Sequence, residues 1–308
     1  MPALEPFLER REPRGIAWVR PDLADEPIAS LWREPAPLAG AKGRGGVGVL
    51  VVGGVECVVR PYRRGGALAA LLRDRYAGPG RARAELAALL ALRQEGVPVV
   101  VPVAAAARRS GAFWGLRLLT ERLADALPLP DFLAAHPARR RDVAASVGVV
   151  LRLAFAAGLR HPDLHADNIL CVARGDRLRV VLVDLDRAVV GKPVDEPARD
   201  AMLARLQRYW WKHRSTLAAR PSRGETMRAL RALAPERSQR HELWRRVARR
   251  IARSLGRKAL PRGPCGGAPA RRAIGAGIGA GGRRRGRAGD QPSGGQACRR
   301  GATGRASP

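Results

Sequence analysis

The spacing of hydrophobic positions changes several times along the chain, and each change marks an element. Residues 1–39 are Pro-rich and show no clear period, so they read as an extension ahead of the first domain. From residue 47 the run VGVLVVGGVECVVRPY sets two β-branched stretches on either side of Gly53-Gly54, which predicts a hairpin. Next, RARAELAALLALRQEG places Leu86, Leu89, Leu90 and Arg93 on one helical face and closes at Gly96, a glycine C-cap. Two strand-like runs follow, VPVVVPVAA and FWGLRLLTERL. The order to about residue 122 is therefore strand, strand, helix, strand, strand.

After Leu123 the period lengthens. PARRRDVAASVGVVLRLAFAAG, residues 137–158, reads as one long amphipathic helix ending at Gly158. A polar loop, RHPDLHADNIL, comes straight after it, and NILCV and RLRVVLVDLD then form a second hairpin around Arg174-Gly175-Asp176. Residues 195–258 are helix-like and carry Trp210, Trp211 and Trp244. From Gly256 onward the chain holds 15 glycines in 53 residues, interleaved with arginines, and almost no large apolar side chain. Such a segment cannot bury enough surface to fold, so 259–308 is expected to be a disordered tail.

Composition sharpens this outline. At 308 residues the chain has room for two lobes, and its formal charge is +30. The tail from residue 256 carries twelve Lys or Arg against the single Asp290, yet most of the positive charge lies in the body. A field of that sign attracts nucleic acid, an anionic membrane or a phosphorylated substrate, and charge alone does not choose among them. Cys57, Cys171, Cys265 and Cys298 show no C-x-x-C pair, which argues against a disulfide framework or zinc site and for a reducing compartment. No signal peptide is visible, and no apolar run approaches the roughly 20 residues a membrane span needs. The expected location is cytoplasmic.

The loop at 160–170 carries the chemistry. His161 and His165 are four apart, but zinc ligation at that spacing requires a continuous helix, which Pro162 and Gly158 oppose. A solvated polar loop is a second reading. The third is a phosphoryl-transfer loop of the form H-x-D-x-x-x-x-N, met by His161, Asp163 and Asn168. There Asp163 would orient an acceptor hydroxyl, mainly by position, because an unperturbed aspartate has a pKa near 3.9. Asn168 would help to hold magnesium. Downstream, RVVLV delivers Asp184, a carboxylate at the end of a buried strand that a metal would justify. Asp186 is a second carboxylate of unassigned role.

The remaining parts occur upstream in the order such an enzyme needs. Gly43, Gly45 and Gly48 have G-x-G-x-x-G spacing and lead into the first hairpin, as a loop over ATP phosphates would; a dinucleotide fingerprint would instead open a helix. Arg60 stands where a V-A-I-K lysine is expected, and Glu85 on the next helix is its natural partner. Each signal alone is compatible with a turn, an edge charge or a solvated helix. Their common order points to ATP and Mg2+.

AKGRGG, RPYRRGG, the DRY at 74–76, GVPVVVPVAA, LLTERL, HPDLHADNIL and VDLDRA together resemble the bacterial 3-deoxy-D-manno-octulosonic acid (Kdo) kinases, of the lipopolysaccharide kinase group, over roughly residues 38–215. The resemblance implies an α+β, two-lobed protein-kinase-like fold, with a small antiparallel β-rich N-lobe at 40–122 and a mainly helical C-lobe at 123–258. It implies transfer of phosphate from ATP to the 4-hydroxyl of Kdo on a lipid A precursor, at the cytoplasmic face of the inner membrane. By position Asp163 becomes the catalytic aspartate, Asn168 and Asp184 magnesium ligands, Arg60 the phosphate contact and Glu85 its partner. The stretch 118–123, with Glu121, becomes the hinge that receives adenine. Arg63, Arg64, Arg73 and Arg75 become candidates to face the anionic substrate and membrane. A heptose or small-molecule kinase, and an inactive kinase-like scaffold binding through its charge, are the rival readings; nucleic acid is not the expected partner, and oligomeric state is left open.

Overall fold

The computed structural model describes residues 4–38, 47–63 and 74–259. Within them the first half forms one antiparallel sheet: β1 (Leu8–Glu12), β2 (Gly15–Val19), β3 (Ala36–Pro37), β4 (Gly48–Val52), β5 (Val55–Pro61), β6 (Pro102–Ser110) and β7 (Phe113–Glu121). Their order across the sheet is β1-β2-β6-β7-β5-β4-β3. The expected hairpin is β4–β5, in register from Val52↔Val55 to Gly48↔Val59. Its turn places both Gly53 (φ +53°) and Gly54 (φ +76°) in the left-handed region, the conformation of a two-residue turn that matches strand twist. A Cβ on Gly53 would also fall 2.2 Å from the Leu23 side chain.

The sheet is covered on both faces, and β6 shows why its sequence is a run of alanines. Ala105 and Ala107 pack with Leu86 and Leu89 of helix α1 (Gly80–Gln94), while Ala104 and Ala106 pack on the other side with Leu23, Ile28 and Leu31. A strand between two layers needs small apolar side chains at every position, which suppresses the alternation of a half-buried strand. Helix α1 ends at Gly96 (φ +70°), as its sequence predicts.

One boundary moves. Residues 1–39 are not an extension ahead of the lobe, because β1, β2 and β3 are strands of the same sheet and two 3-10 turns, Pro21–Leu23 and Ile28–Trp32, cap its second face. Their sequence hides this: β1 is a charged edge strand, and the turns bury single residues rather than a periodic stripe.

The second half contains β8 (Leu127–Pro128), α2 (Leu129–Ala135), α3 (Arg140–Ala156), β9 (Ile169–Arg174), β10 (Arg177–Leu182), α4 (Glu196–Lys212), α5 (Arg223–Leu233) and α6 (Arg237–Ala259). β10, β9 and β8 make a small sheet beneath the loop at 160–168. Helix α3 lies so close to α5 that a Cβ on Gly148 would stand 2.1 Å from the Ala229 carbonyl oxygen. Two backbone bonds tie the halves: Val100 N–H donates to Leu182 O at 3.2 Å and Leu182 N–H to Pro98 O at 2.9 Å. Cys57 and Cys171 are buried free thiols whose pKa values burial pushes up to about 11 and about 12, so both are inert. Gly43, Gly45, Arg64, Arg73 and the tail from 260 onward, with Cys265 and Cys298, lie outside the described residues.

Candidate active site

Strand β5 carries Arg60 toward α1, and α1 presents Glu85 to it. The Glu85 side chain is 1 % exposed; one oxygen accepts from the Arg60 guanidinium and the other from the Tyr62 hydroxyl at 2.5 Å. Tyr62 follows Arg60 by two, so the pleat puts both on one face, and Arg60 lies 4.8 Å over the Tyr62 ring. The second arm of the fork, Arg60 Nη1, is 3.2 Å from Asp184 Oδ1 in the other half. A lysine is a single point charge, whereas the planar guanidinium spans two carboxylates. Burial opposes charge on both partners: it raises the Glu85 pKa against the pull of Arg60 and Tyr62, while Glu85 and Asp184 keep Arg60 above its usual value.

The opposite wall is the loop at 160–168. Its first residue is pinned by reciprocal backbone bonds between Arg160 and Val189, at 2.8 and 3.0 Å. Gly158 (φ +82°) precedes it, where a Cβ would press on the Gly191 carbonyl at 2.1 Å. His161 is buried; its Nδ1 accepts from the Asp163 N–H at 3.0 Å, and burial lowers its pKa, so it is a neutral ring holding the backbone of the aspartate two residues on. Asn168 Nδ2 donates to the Asp163 carbonyl at 3.0 Å, and the Asn168 carbonyl accepts from Val183 N–H at 3.0 Å. These bonds draw the loop and the end of β10 together, leaving the Asp163 side chain 77 % exposed and free to meet a hydroxyl.

Asp184 sits immediately beyond, with φ +55°, a region a non-glycine residue occupies at a cost of order 1–3 kcal/mol. Its Oδ1 is buried and makes no hydrogen bond; the Arg60 contact at 3.2 Å is an ion pair without hydrogen-bond alignment. With Nδ2 of Asn168 committed to Asp163, the amide oxygen is the end left for a cation. A lone carboxylate and an amide oxygen suit Mg2+, which binds through one or two carboxylates plus substrate phosphates. Among the described residues no cluster of three or more His, Cys, Asp or Glu offers an all-protein cage, and the zinc reading of His161 and His165 finds no support.

Two expected contacts are committed elsewhere. The Glu121 carboxylate accepts from Arg20 Nη1 at 2.5 Å, and its N–H donates to Val101 O at 2.8 Å. Gly48 opens β4 under Pro35 and Ala36, where a Cβ would stand 2.5 Å from the Ala36 carbonyl, so close strand packing already accounts for that glycine. Sequence reasoning missed Tyr62, which its i+2 spacing from Arg60 would have flagged, and left Asp186 without a role. Asp186 accepts from Arg81 Nε at 2.6 Å, and Arg81 lies one helical turn before Glu85. Arg60 and Arg81 thus join the same helix and sheet edge to the two aspartates of VDLD.

Comparison with known proteins shows the family. The family described as "Lipopolysaccharide kinase (Kdo/WaaP) family" matches residues 29–222. The chain belongs to this family. Among relatives, the 3-deoxy-D-manno-octulosonic acid kinase of Xanthomonas oryzae pv. oryzae (strain PXO99A) is 36% identical over 229 residues, 72% of this chain and 87% of that protein. The enzyme of the same description from Vibrio parahaemolyticus is 30% identical over 187 residues, 58% of this chain and 77% of its own. Among solved structures, WaaP in complex with acyl carrier protein aligns with TM-score 0.53 and 20% identity, over 76% of this chain and 93% of that one. The kinase is therefore a phosphotransferase of the lipopolysaccharide pathway on an α+β protein-kinase-like fold, and the inactive-scaffold reading falls away.

Proposed function

We propose that this kinase transfers the γ-phosphoryl group of Mg-ATP to the 4-hydroxyl of Kdo on a lipid A precursor. The observation that carries the reading is that Arg60 pairs with both Glu85 and Asp184 across the two halves, while Asn168 holds the Asp163 carbonyl and accepts from the N–H of Val183, next to Asp184. The exposed Asp163 carboxylate orients the acceptor hydroxyl toward the phosphorus and takes its proton late. Arg60, released in part from Asp184, holds phosphate oxygens, and Glu85 keeps it aimed. Asn168 and Asp184 would hold Mg2+, which supplies charge neutralisation at the phosphates when bound. Gly43 and Gly45, outside the described residues, are the remaining candidates to meet the phosphates, and the 118–123 stretch would receive adenine without the Glu121 side chain.

No helix among the described residues is long and apolar enough to cross a membrane. The basic body, Arg63 and Arg75 included, suits peripheral docking at the anionic cytoplasmic face of the inner membrane, at roughly 1 kcal/mol per basic residue near the surface. The test is mass analysis of Kdo-lipid A precursor after incubation with Mg-ATP, with a heptosylated core as the rival acceptor. One added phosphate on Kdo is expected, and Asp163→Asn or Asp184→Asn should abolish nearly all of it while leaving the fold intact. Preferential labelling of heptose, or wild-type turnover in either variant, would overturn the assignment.

A further inference from the structure

A polar cavity of about 440 Å3 lies on the N-lobe, reaching Val59, Pro61 and Tyr62 on β5 beside Arg60 and extending from there across β7 to Arg108 and Trp32. The pleat fixes its location. Ala104 and Ala106 face the layer opposite α1, so Arg108, next in that series, faces the same way; on the neighbouring strand Leu119 and Arg117 do likewise. Registers Ala106↔Arg117 and Arg108↔Gly115 make the two arginines diagonal neighbours. Gly115, opposite Arg108, has no side chain, and the indole of Trp32 lies over the gap, 3.8 Å from where a Cβ would stand. Arg108 and Arg117 both lie against that indole, their guanidinium carbons 4.7 and 4.8 Å from its ring.

Two like charges meet here without a carboxylate bonded to either among the described contacts. Arg117 Nη1 donates only to backbone carbonyls, Leu31 at 3.2 Å and Arg33 at 2.8 Å. Burial pushes the Arg117 pKa down against the pull of Glu34, and the Arg108 cation adds a smaller push in the same direction as burial. The Trp32 Nε1–H is buried and has no acceptor. Two guanidinium groups crowded on one wall are the complement of an oxyanion. Arg63 and Arg75 also line the cavity, as do the carboxylates Glu34 and Asp74. The lining carries more guanidinium groups than carboxylates, the balance of sign that an anion requires. The volume exceeds that of a phosphate alone, and the carboxylates can accept from hydroxyls of whatever carries it.

We propose that this cavity binds a phosphomonoester attached to a sugar, of the kind a phosphorylated glycolipid presents, as an anchoring subsite beside the catalytic cleft. The phosphate would meet Arg108 and Arg117, and the sugar would face Glu34 and Asp74. Only the identity of the glycolipid rests on the proposed acceptor; the anion site stands on its own geometry.

The test titrates the full chain with glucose 1-phosphate, glucose and inorganic phosphate, followed by calorimetry and 31P spectra. Saturable binding of glucose 1-phosphate, weaker binding of inorganic phosphate and none of glucose are expected. Arg108→Gln removes an exposed cation and should weaken the sugar phosphate about tenfold or more, and Arg117→Gln, which removes the diagonal neighbour's charge, by a similar factor. In turnover, both variants should keep kcat and raise KM for a phosphorylated glycolipid acceptor, with KM unchanged for the same acceptor stripped of its phosphates. Wild-type binding in both variants, or equal KM changes for the two acceptors, would overturn the proposal. Tighter binding of inorganic phosphate than of the sugar phosphate, or displacement of the sugar phosphate by a single-stranded oligonucleotide at equal affinity, would also overturn it. If the glycolipid is not a substrate at all, the glucose 1-phosphate titration still decides.

Discussion

Glu85→Gln is the sharpest probe of the catalytic ion pair, because it keeps the side-chain shape and removes one acceptor. In the native protein one carboxylate oxygen receives Arg60 and the other the Tyr62 hydroxyl, at a side chain 1 % exposed. Glutamine has one acceptor oxygen and one NH2, so either Arg60 or Tyr62 loses its partner in a buried setting. An unpaired buried donor costs about 1–3 kcal/mol, and breaking a buried ion pair about 3–5 kcal/mol. The lower range applies here, since Arg60 is 23 % exposed and keeps Asp184 at 3.2 Å. Equilibrium denaturation should therefore show a loss of about 1–3 kcal/mol. With its anchor weakened, Arg60 should swing toward Asp184 and be withdrawn from the phosphates, so KM for ATP should rise and kcat fall. Tyr62→Phe removes the competing donor, so the double variant Tyr62→Phe/Glu85→Gln should lose less than the sum of the singles. Burial raises the Glu85 pKa, which supplies the alternative: a carboxyl that is neutral in the folded protein would make Glu85→Gln nearly silent. Unchanged stability with unchanged ATP kinetics, or strict additivity with Tyr62→Phe, would refute the charged-pair account.

Two further expectations test the scaffold. Glu225, hydrogen-bonded to Arg140 at 2.7 Å and to the Ser222 N–H, has its pKa lowered from 4.5 to about 2, chiefly by Arg140. A depressed carboxylate stabilises the fold above its unfolded pKa, and that contribution is lost as pH falls from about 4.5 toward 2; it amounts to at most about 3 kcal/mol. Urea melts between pH 6 and 2.5 should show a shallower acid loss in Glu225→Gln than in wild type, and parallel curves would contradict the linkage. Gly148→Ala should destabilise despite alanine's better helix propensity, because its Cβ would meet the Ala229 carbonyl at 2.1 Å and the Ala232 Cβ at 2.8 Å, both fixed by α5. A lowered thermal midpoint with unchanged kcat is expected, and a raised midpoint would show that α3 and α5 can separate freely.

The elements with strong local signals were legible. Two β-branched runs around Gly53-Gly54 could only be a tight hairpin, and the periodic runs at 81–96 and 137–158 became α1 and α3 with glycines just beyond their ends. The first 39 residues were opaque because their structure is not periodic: a charged edge strand and two 3-10 turns acquire meaning only by covering the alanines of β6.

For the site, the order of residue types, Arg60, Glu85, Asp163, Asn168 and Asp184, was fixed by the chain alone, since each chemical role admits few side chains and the motifs preserve their spacing. What folding added was the set of bonds between distant positions. Tyr62 on Glu85, His161 on the Asp163 backbone, Arg81 on Asp186 and Arg20 on Glu121 are pairings that no local pattern encodes. The same holds for the arginine pair at Trp32, which exists because strand register and a missing side chain at Gly115 bring three segments together. Side-chain type is a property of one position, whereas a hydrogen bond or a cavity depends on the distance between positions, and packing alone sets that distance.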